Sequence, residues 1–259
     1  MTQFVDNSLR QADKYFKNGE ISEARKLYDS ILSKFPMNIR AKNAINKLNS
    51  LSQIDLASNP SQNEFEELVK FHNLKEYKIL LDKSLDLYKL YPNSYLILNL
   101  IGAAYTGLKS YDKAIEYYEK SVQLNDNFIA AKNNLAFSYY KANKFEKSID
   151  LFLHIINQQP NYAQAYNNLG IVYLDLDDYD NAENNFKKAL KLKSDYSEAY
   201  NNYGNTLLKK NKAPESINYF KSALKLAPNF VEAYNGIGEA FRDTKQFENA
   251  INNLKKAIE

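Results

Sequence analysis

A small residue returns every 34 positions along most of this chain. Gly102, Ala136, Gly170, Gly204 and Gly238 form the series, and counting from Tyr95 they all stand at position 8. A second small column, Ala114, Ser148, Ala182, Ser216 and Ala250, stands at position 20. The large residues Tyr118, Phe152, Phe186, Phe220 and Leu254 stand at position 24, and Ser121, Ile155, Ala189, Ala223 and Ala257 at 27. Columns that coincide over five units mean that one structural unit is repeated. The apolar positions inside each unit follow a helical period. Two facing small columns let two antiparallel helices approach closely, and the large residue fills the space beside them. The fold class that follows is all-α, an α-α superhelix of stacked antiparallel helix pairs with no single central core.

The central unit, 163–196, carries the pattern most fully. Tyr166 is at position 4, Leu169-Gly170 at 7–8, Tyr173 at 11, Tyr179 at 17, Ala182 at 20, Phe186 at 24 and Ala189 at 27. This resembles the tetratricopeptide repeat, whose 34-residue signature has Leu-Gly, an aromatic, Ala and Phe at those places. The resemblance covers about 5–38 and 61–259. It implies a right-handed solenoid with an inner groove that binds proteins or peptides. The stretches Ala165–Gly170, Ala199–Gly204 and Lys193–Tyr196 also resemble the repeats of O-linked N-acetylglucosamine transferases and their bacterial relatives.

In chain order, 5–38 is a first unit, with Ala12, Tyr15, Gly19, Ala24, Tyr28 and Pro36 in frame. Gly19 is expected to supply the left-handed turn after the first helix. Residues 39–50 read as an unpaired helix, and 51–60, polar and ending in Asn-Pro, as a linker. Residues 61–94 are a degenerate unit, because Leu68 and Leu80 replace the small residues at 8 and 20. Its helices are expected to stand further apart or to be re-registered. The in-frame units are 95–128, 129–162, 163–196, 197–230 and the incomplete 231–259. Position 15, the turn between helices, is Lys109, Asn143, Asp177, Asn211 and Lys245. Asn and Asp tolerate a left-handed residue; the lysines must bear strain or turn differently. The last unit stops at its position 29 without a polar cap. That suggests a longer natural protein, and an uncapped end is also a route to self-association.

Composition removes several function classes. With 34 basic and 31 acidic side chains the net charge is +3, too balanced for the electrostatic footprint of a nucleic-acid or anionic-membrane binder. There is no cysteine, so thiolate metal sites and disulfides are excluded. His72 and His154 lie in different units and suit surface or packing roles. Phosphate loops and hydrolase or metalloprotease motifs are not found, and no cofactor, metal or catalytic residue is expected. The acidic run Asp175–Asp180 lacks calcium-loop spacing. A cytoplasmic chain is the default reading.

The groove side is set by helix geometry. Positions 4, 7, 8 and 11 of each first helix face the core, while 2, 6, 9 and 13 point away, with 5 and 12 on the flank. Position 6 is Asn134, Asn168 and Asn202, interrupted by Leu100 and Gly236. Position 5 is Asn99, Asn133, Asn167, Asn201 and Asn235. An Asn amide both donates and accepts, so a ladder of them can hold a peptide backbone of any sequence. An asparagine ladder at position 6 is also what the transferase resemblance implies for substrate polypeptide. Phe137 and Tyr140 are either ligand anchors or packing for the next unit; Lys141, Asn205 and Lys209 complete the expected groove. The leading reading is a non-catalytic scaffold that binds an extended peptide or protein. The alternative is the substrate-targeting region of a larger glycosyltransferase or sulfotransferase.

Overall fold

The computed structural model describes residues 2–17 and 20–258, with side chains for 5–16, 20, 23–48 and 59–258. Gly19, the expected turn residue, lies outside the described residues. Among those described there are fifteen α-helices and no strand. They gather into two compact units, 1–128 and 129–259. The first holds α1 (Thr2–Lys17), α2 (Ile21–Lys34), α3 (Ile39–Ser58), α4 (Gln62–Asn73), α5 (Tyr77–Leu90), α6 (Tyr95–Gly107) and α7 (Tyr111–Leu124). The second holds α8 (Ile129–Lys141), α9 (Phe145–Gln158), α10 (Ala163–Asp175), α11 (Tyr179–Leu192), α12 (Ser197–Lys209), α13 (Ala213–Leu226), α14 (Val231–Asp243) and α15 (Phe247–Lys256). Within each unit, successive helices pack as hairpins and hairpins stack on one another, except between α3 and α4. Among the described residues no helix is long and apolar enough to cross a membrane.

The columns of the sequence are the contacts of the hairpins. A Cβ placed on Gly102 would lie 2.7 Å from the Tyr118 ring, and one on Gly170 or Gly204 equally close to Phe186 or Phe220. Position 8 is small because the ring at position 24 lies directly on its backbone. Where position 8 is Ala136, the Ser148 hydroxyl at position 20 donates to the Ala136 carbonyl at 2.7 Å.

The turns repeat as faithfully as the cores. Lys75, Lys109, Asn143, Asp177, Asn211 and Lys245, 34 residues apart, all have φ of 58–60°. Each is followed by a backbone N–H that reaches back to the preceding helix, as from Ser110 to the Tyr105 carbonyl at 2.8 Å. The lysines therefore take the same left-handed turn as Asn and Asp. They carry a strain on the order of 1 kcal/mol that the helix-closing bonds outweigh.

One expectation changes and one is resolved. The helix after the first hairpin does not end at Ser50: α3 continues to Ser58, so most of the expected 51–60 linker is helical. Polar side chains do not stop a helix; Pro60 does, and Asn59 before it is extended (φ −121°, ψ 153°). The degenerate unit is not re-registered, as Lys75 at its turn shows, but its two helices do stand further apart than those of the other hairpins, as expected. Its residues at the two columns differ from those of the other units. Leu68 is buried where other units have Gly or Ala, and buried Ser84 stands at position 24 in place of the aromatic ring.

The rear face of each first helix tells whether a helix precedes it. In α10, positions 3, 7 and 10 are Ala165, Leu169 and Val172, buried against Phe152 and Ile155 of α9. In α3 they are Ala41, Ile45 and Leu48, packed on Tyr28 and Ile31 of α2. In α1 they are Asn7, Gln11 and Lys14, and in α4 Asn63, Glu67 and Lys70, all exposed. Ser61 begins α4 with a capping box to Glu64, the signature of a fresh start. The rear faces of α1 and α4 thus offer no apolar contact to a preceding helix, and within this chain an array starts afresh at α4.

Candidate functional site

The paired asparagines of the second unit lie on α8, α10 and α12. Asn133, Asn167 and Asn201 at position 5 are buried, as is Asn168 at position 6; Asn134 and Asn202 are half-buried. The amides meet one another. Asn168 Nδ2 donates to Asn133 Oδ1 at 3.2 Å, and Asn202 Nδ2 to Asn167 Oδ1 at 3.1 Å. Asn167 Nδ2 reaches Asn168 Oδ1 at 3.4 Å. A relay of four amides therefore runs Asn202, Asn167, Asn168, Asn133 across three repeats. Position 6 of one repeat donates to position 5 of the repeat before it. An amide has two donor and two acceptor places, so the relay occupies about half of each inner member.

The relay ends at Gly236. Asn201 at position 5 would accept from position 6 of the next repeat, but that residue is Gly236. Among the described residues, Asn201 Oδ1 is buried without a hydrogen-bond partner. No amide could be put there: a Cβ on Gly236 would lie 2.4 Å from Phe220 Cζ. The sequence shows both Asn rows. What it hides is that one row accepts from the other, because the partners are 35 residues apart.

Side chains of α9, α10, α12 and α14 and of the turn after α10 frame an open cleft of about 540 Å³. Its lining includes Asn205, Lys209, Asp175, Asp177 and Glu239, together with Phe145, Leu174 and Leu208. Two expected site residues, Asn205 and Lys209, are thus brought together with three carboxylates that sequence reasoning did not assign to a site. Phe137 and Tyr140 stand at the α8 edge with ring centroids 5.7 Å apart. Tyr140 is buried and its hydroxyl donates to Asp175 of the next repeat. Phe137 packs on the same core. The exposed Lys141 lays its ammonium 4.9 Å from the Tyr140 ring centre. Tyr140 therefore ties two repeats together and sets the Asp175 carboxylate at the cleft wall.

A second tie joins α11 to α12. Glu183 accepts from Lys187 at 2.6 Å, Lys210 at 2.7 Å and the Tyr203 hydroxyl at 3.0 Å. Burial alone would raise its carboxyl, but these three donors outweigh it and hold the group down to about 2. Lys210 also reaches Asp180 at 2.7 Å, and Asp178 caps α11 through the Asn181 N–H. The acidic run is therefore engaged residue by residue. Among the described residues no group of His, Asp and Glu could hold a metal ion.

Family models described as tetratricopeptide repeat match residues 6–36, 95–128, 127–195, 163–229 and 201–259. The chain belongs to the tetratricopeptide repeat family. No curated protein is significantly similar to it in sequence. Solved structures share the fold at low identity. Cut9 in an APC/C hetero-tetramer with Hcn1 is 19% identical, over 97% of this chain and 45% of its own, with a TM-score of 0.69. A thermophilic tetratricopeptide repeat protein of Thermus thermophilus is 20% identical, over 70% and 98%, with a TM-score of 0.64. MamA is 23% identical, over 61% and 92%, with a TM-score of 0.52.

Proposed function

We propose that this chain is a non-catalytic scaffold that holds an extended polypeptide segment in the cleft of its second unit. The observation that carries this is the composition of the cleft walls. Asn205 offers both donor and acceptor, while Asp175, Asp177 and Glu239 outnumber Lys209. Such a wall suits a backbone with at least one basic side chain. The asparagine relay runs across α8, α10 and α12, two of which also line the cleft, and its role is to hold three repeats in register so that the cleft is preformed. Asn134 and Asn202, half-buried on the same helices, are the rungs left nearest to a ligand. Cut9, solved with Hcn1, is an example of such a solenoid in a protein assembly.

The test is binding of fluorescently labelled extended peptides, with and without Lys or Arg, measured by anisotropy. Asp177→Asn and Glu239→Gln together are expected to weaken a basic peptide about 5-fold, and more at low salt than at high salt. Asn already occupies the Asp177 turn position in two other repeats, so the fold is kept. Equal binding of basic and neutral peptides, or no effect of the two substitutions, would remove the cleft from the reading.

A further inference from the structure

Among the five in-frame repeats, only α8 has an aromatic residue at position 9 or at position 12, and it has one at each, Phe137 and Tyr140. Their ring centroids are 5.7 Å apart, and Phe145 at the start of α9 brings a third ring to 6.3 Å from Tyr140. The Lys141 ammonium lies 5.6 Å from the centre of the Phe137 ring and 4.9 Å from that of Tyr140. Among the described residues it is the one lysine laid over two rings at once. This cluster adjoins the cleft described above. Phe145 lines that cleft, and so does Asp175, which accepts from the Tyr140 hydroxyl. One side chain therefore joins a carboxylate of the cleft to a seat of ring faces that already holds a cation.

We propose that this seat receives an arginine side chain of the bound peptide, and that Lys141 occupies it until the arginine displaces it. The proposal rests on the reading of the cleft as a peptide site and names the residue that the cleft selects. A cation over an aromatic face is attracted by the ring quadrupole, and Lys141 shows that a cationic group fits here. A guanidinium can do what the ammonium of Lys141 does not. It stacks flat on a ring while its forked N–H groups bond a carboxylate, and it is more weakly hydrated than an ammonium. Asp175 is exposed, and among the described residues the Tyr140 hydroxyl is its one hydrogen-bond donor. A carboxylate has about four lone-pair places, so most of its accepting capacity faces the incoming group. Lys141 itself is exposed, and a cation–π contact at an exposed site is worth about 2- to 5-fold in an equilibrium. Lys141 therefore acts as a weak internal competitor that raises the selectivity of the seat without closing it.

Fluorescence anisotropy reads the outcome with three labelled extended peptides that differ only at one central residue, Arg, Lys or Gln. The 259-residue chain is expected to bind the Arg peptide about 5-fold more tightly than the Lys peptide. Lys141→Gln, at an exposed position, is expected to tighten the Arg peptide about 3-fold, and to do so in 0.5 M salt as well as in 0.1 M. A gain that vanished at high salt would be a long-range charge effect and would overturn the competition. Phe137→Leu, with its helix signal checked by circular dichroism, is expected to bring the Arg and Lys peptides within about 2-fold of each other, which loss of charge alone cannot do. Basic peptides that lose affinity with Asp177→Asn and Glu239→Gln, yet show no preference for Arg and no response to Lys141→Gln, would overturn the seat and leave the cleft standing. Equal binding of all three peptides, or none, would overturn both.

Discussion

At the scale of the residue, the asparagines divide by whether their amides are paired. Asn167 accepts from Asn202 and donates toward Asn168, so it is the hub of the relay. Asn167→Leu leaves a donor on one side and an acceptor on the other without a partner. Each such buried group costs about 1–3 kcal/mol. Asn201→Leu removes an acceptor that is already without one. Urea unfolding is expected to place Asn167→Leu about 2 kcal/mol below the parent and Asn201→Leu within about 0.5 kcal/mol of it. Equal losses at the two sites would mean that the relay is not what the position-5 amides contribute. The contrast also separates structure from binding, since both side chains occupy the same row of the repeat.

At the scale of the element, the degenerate hairpin α4–α5 shows how the repeat tolerates variation. The other hairpins have Gly or Ala at position 8 and an aromatic, or Leu254 in the last, at 24; this one has Leu68 and Ser84 at those places, both buried. The pair conserves filled volume although neither residue fits the column. Leu68→Gly alone opens a cavity and costs about 3 kcal/mol or more, and Ser84→Phe alone overpacks by about 1–3 kcal/mol. The double variant is expected to recover at least about 2 kcal/mol of their sum, because Gly and Phe then recreate the contact of Gly170 with Phe186. Thermal unfolding of the four proteins of the cycle measures this, and simple additivity would refute it. The swap also explains what could be read in advance. Columns at 8, 20 and 24 were legible because each names one side of a contact. Leu68 alone looks like a misfit because the matching departure from the columns, Ser84 at position 24, lies 16 residues away on the other helix. The asparagine rows were legible for the same reason as the columns, and their mutual bonding was not, because it crosses between repeats. The length of α3 is not legible in composition, because polar residues do not stop a helix and only Pro60 acts as a stop signal.

At the scale of the whole molecule, the rule that fixes architecture is the polarity of rear faces. A first helix with apolar residues at positions 3, 7 and 10 is bound to what precedes it, and one with polar residues there is not. α3 obeys the first rule toward α2, and α4 the second. Neighbour contacts are the source of stability in a solenoid, so destabilisation spreads only as far as apolar faces are continuous. The segment α1–α3 and the array that starts at α4 are therefore expected to unfold separately. Tyr28 tests this, being buried among Leu9, Ala12 and Leu48. Tyr28→Ala removes about 3 kcal/mol or more from that core. Hydrogen exchange read by mass spectrometry should show amides of residues 5–48 losing protection while those of 62–124 keep theirs. Loss that ran on past Pro60 into α4 and α5 would mean that the polar faces of Asn63, Glu67 and Lys70 do not mark a beginning, and that the two arrays fold as one.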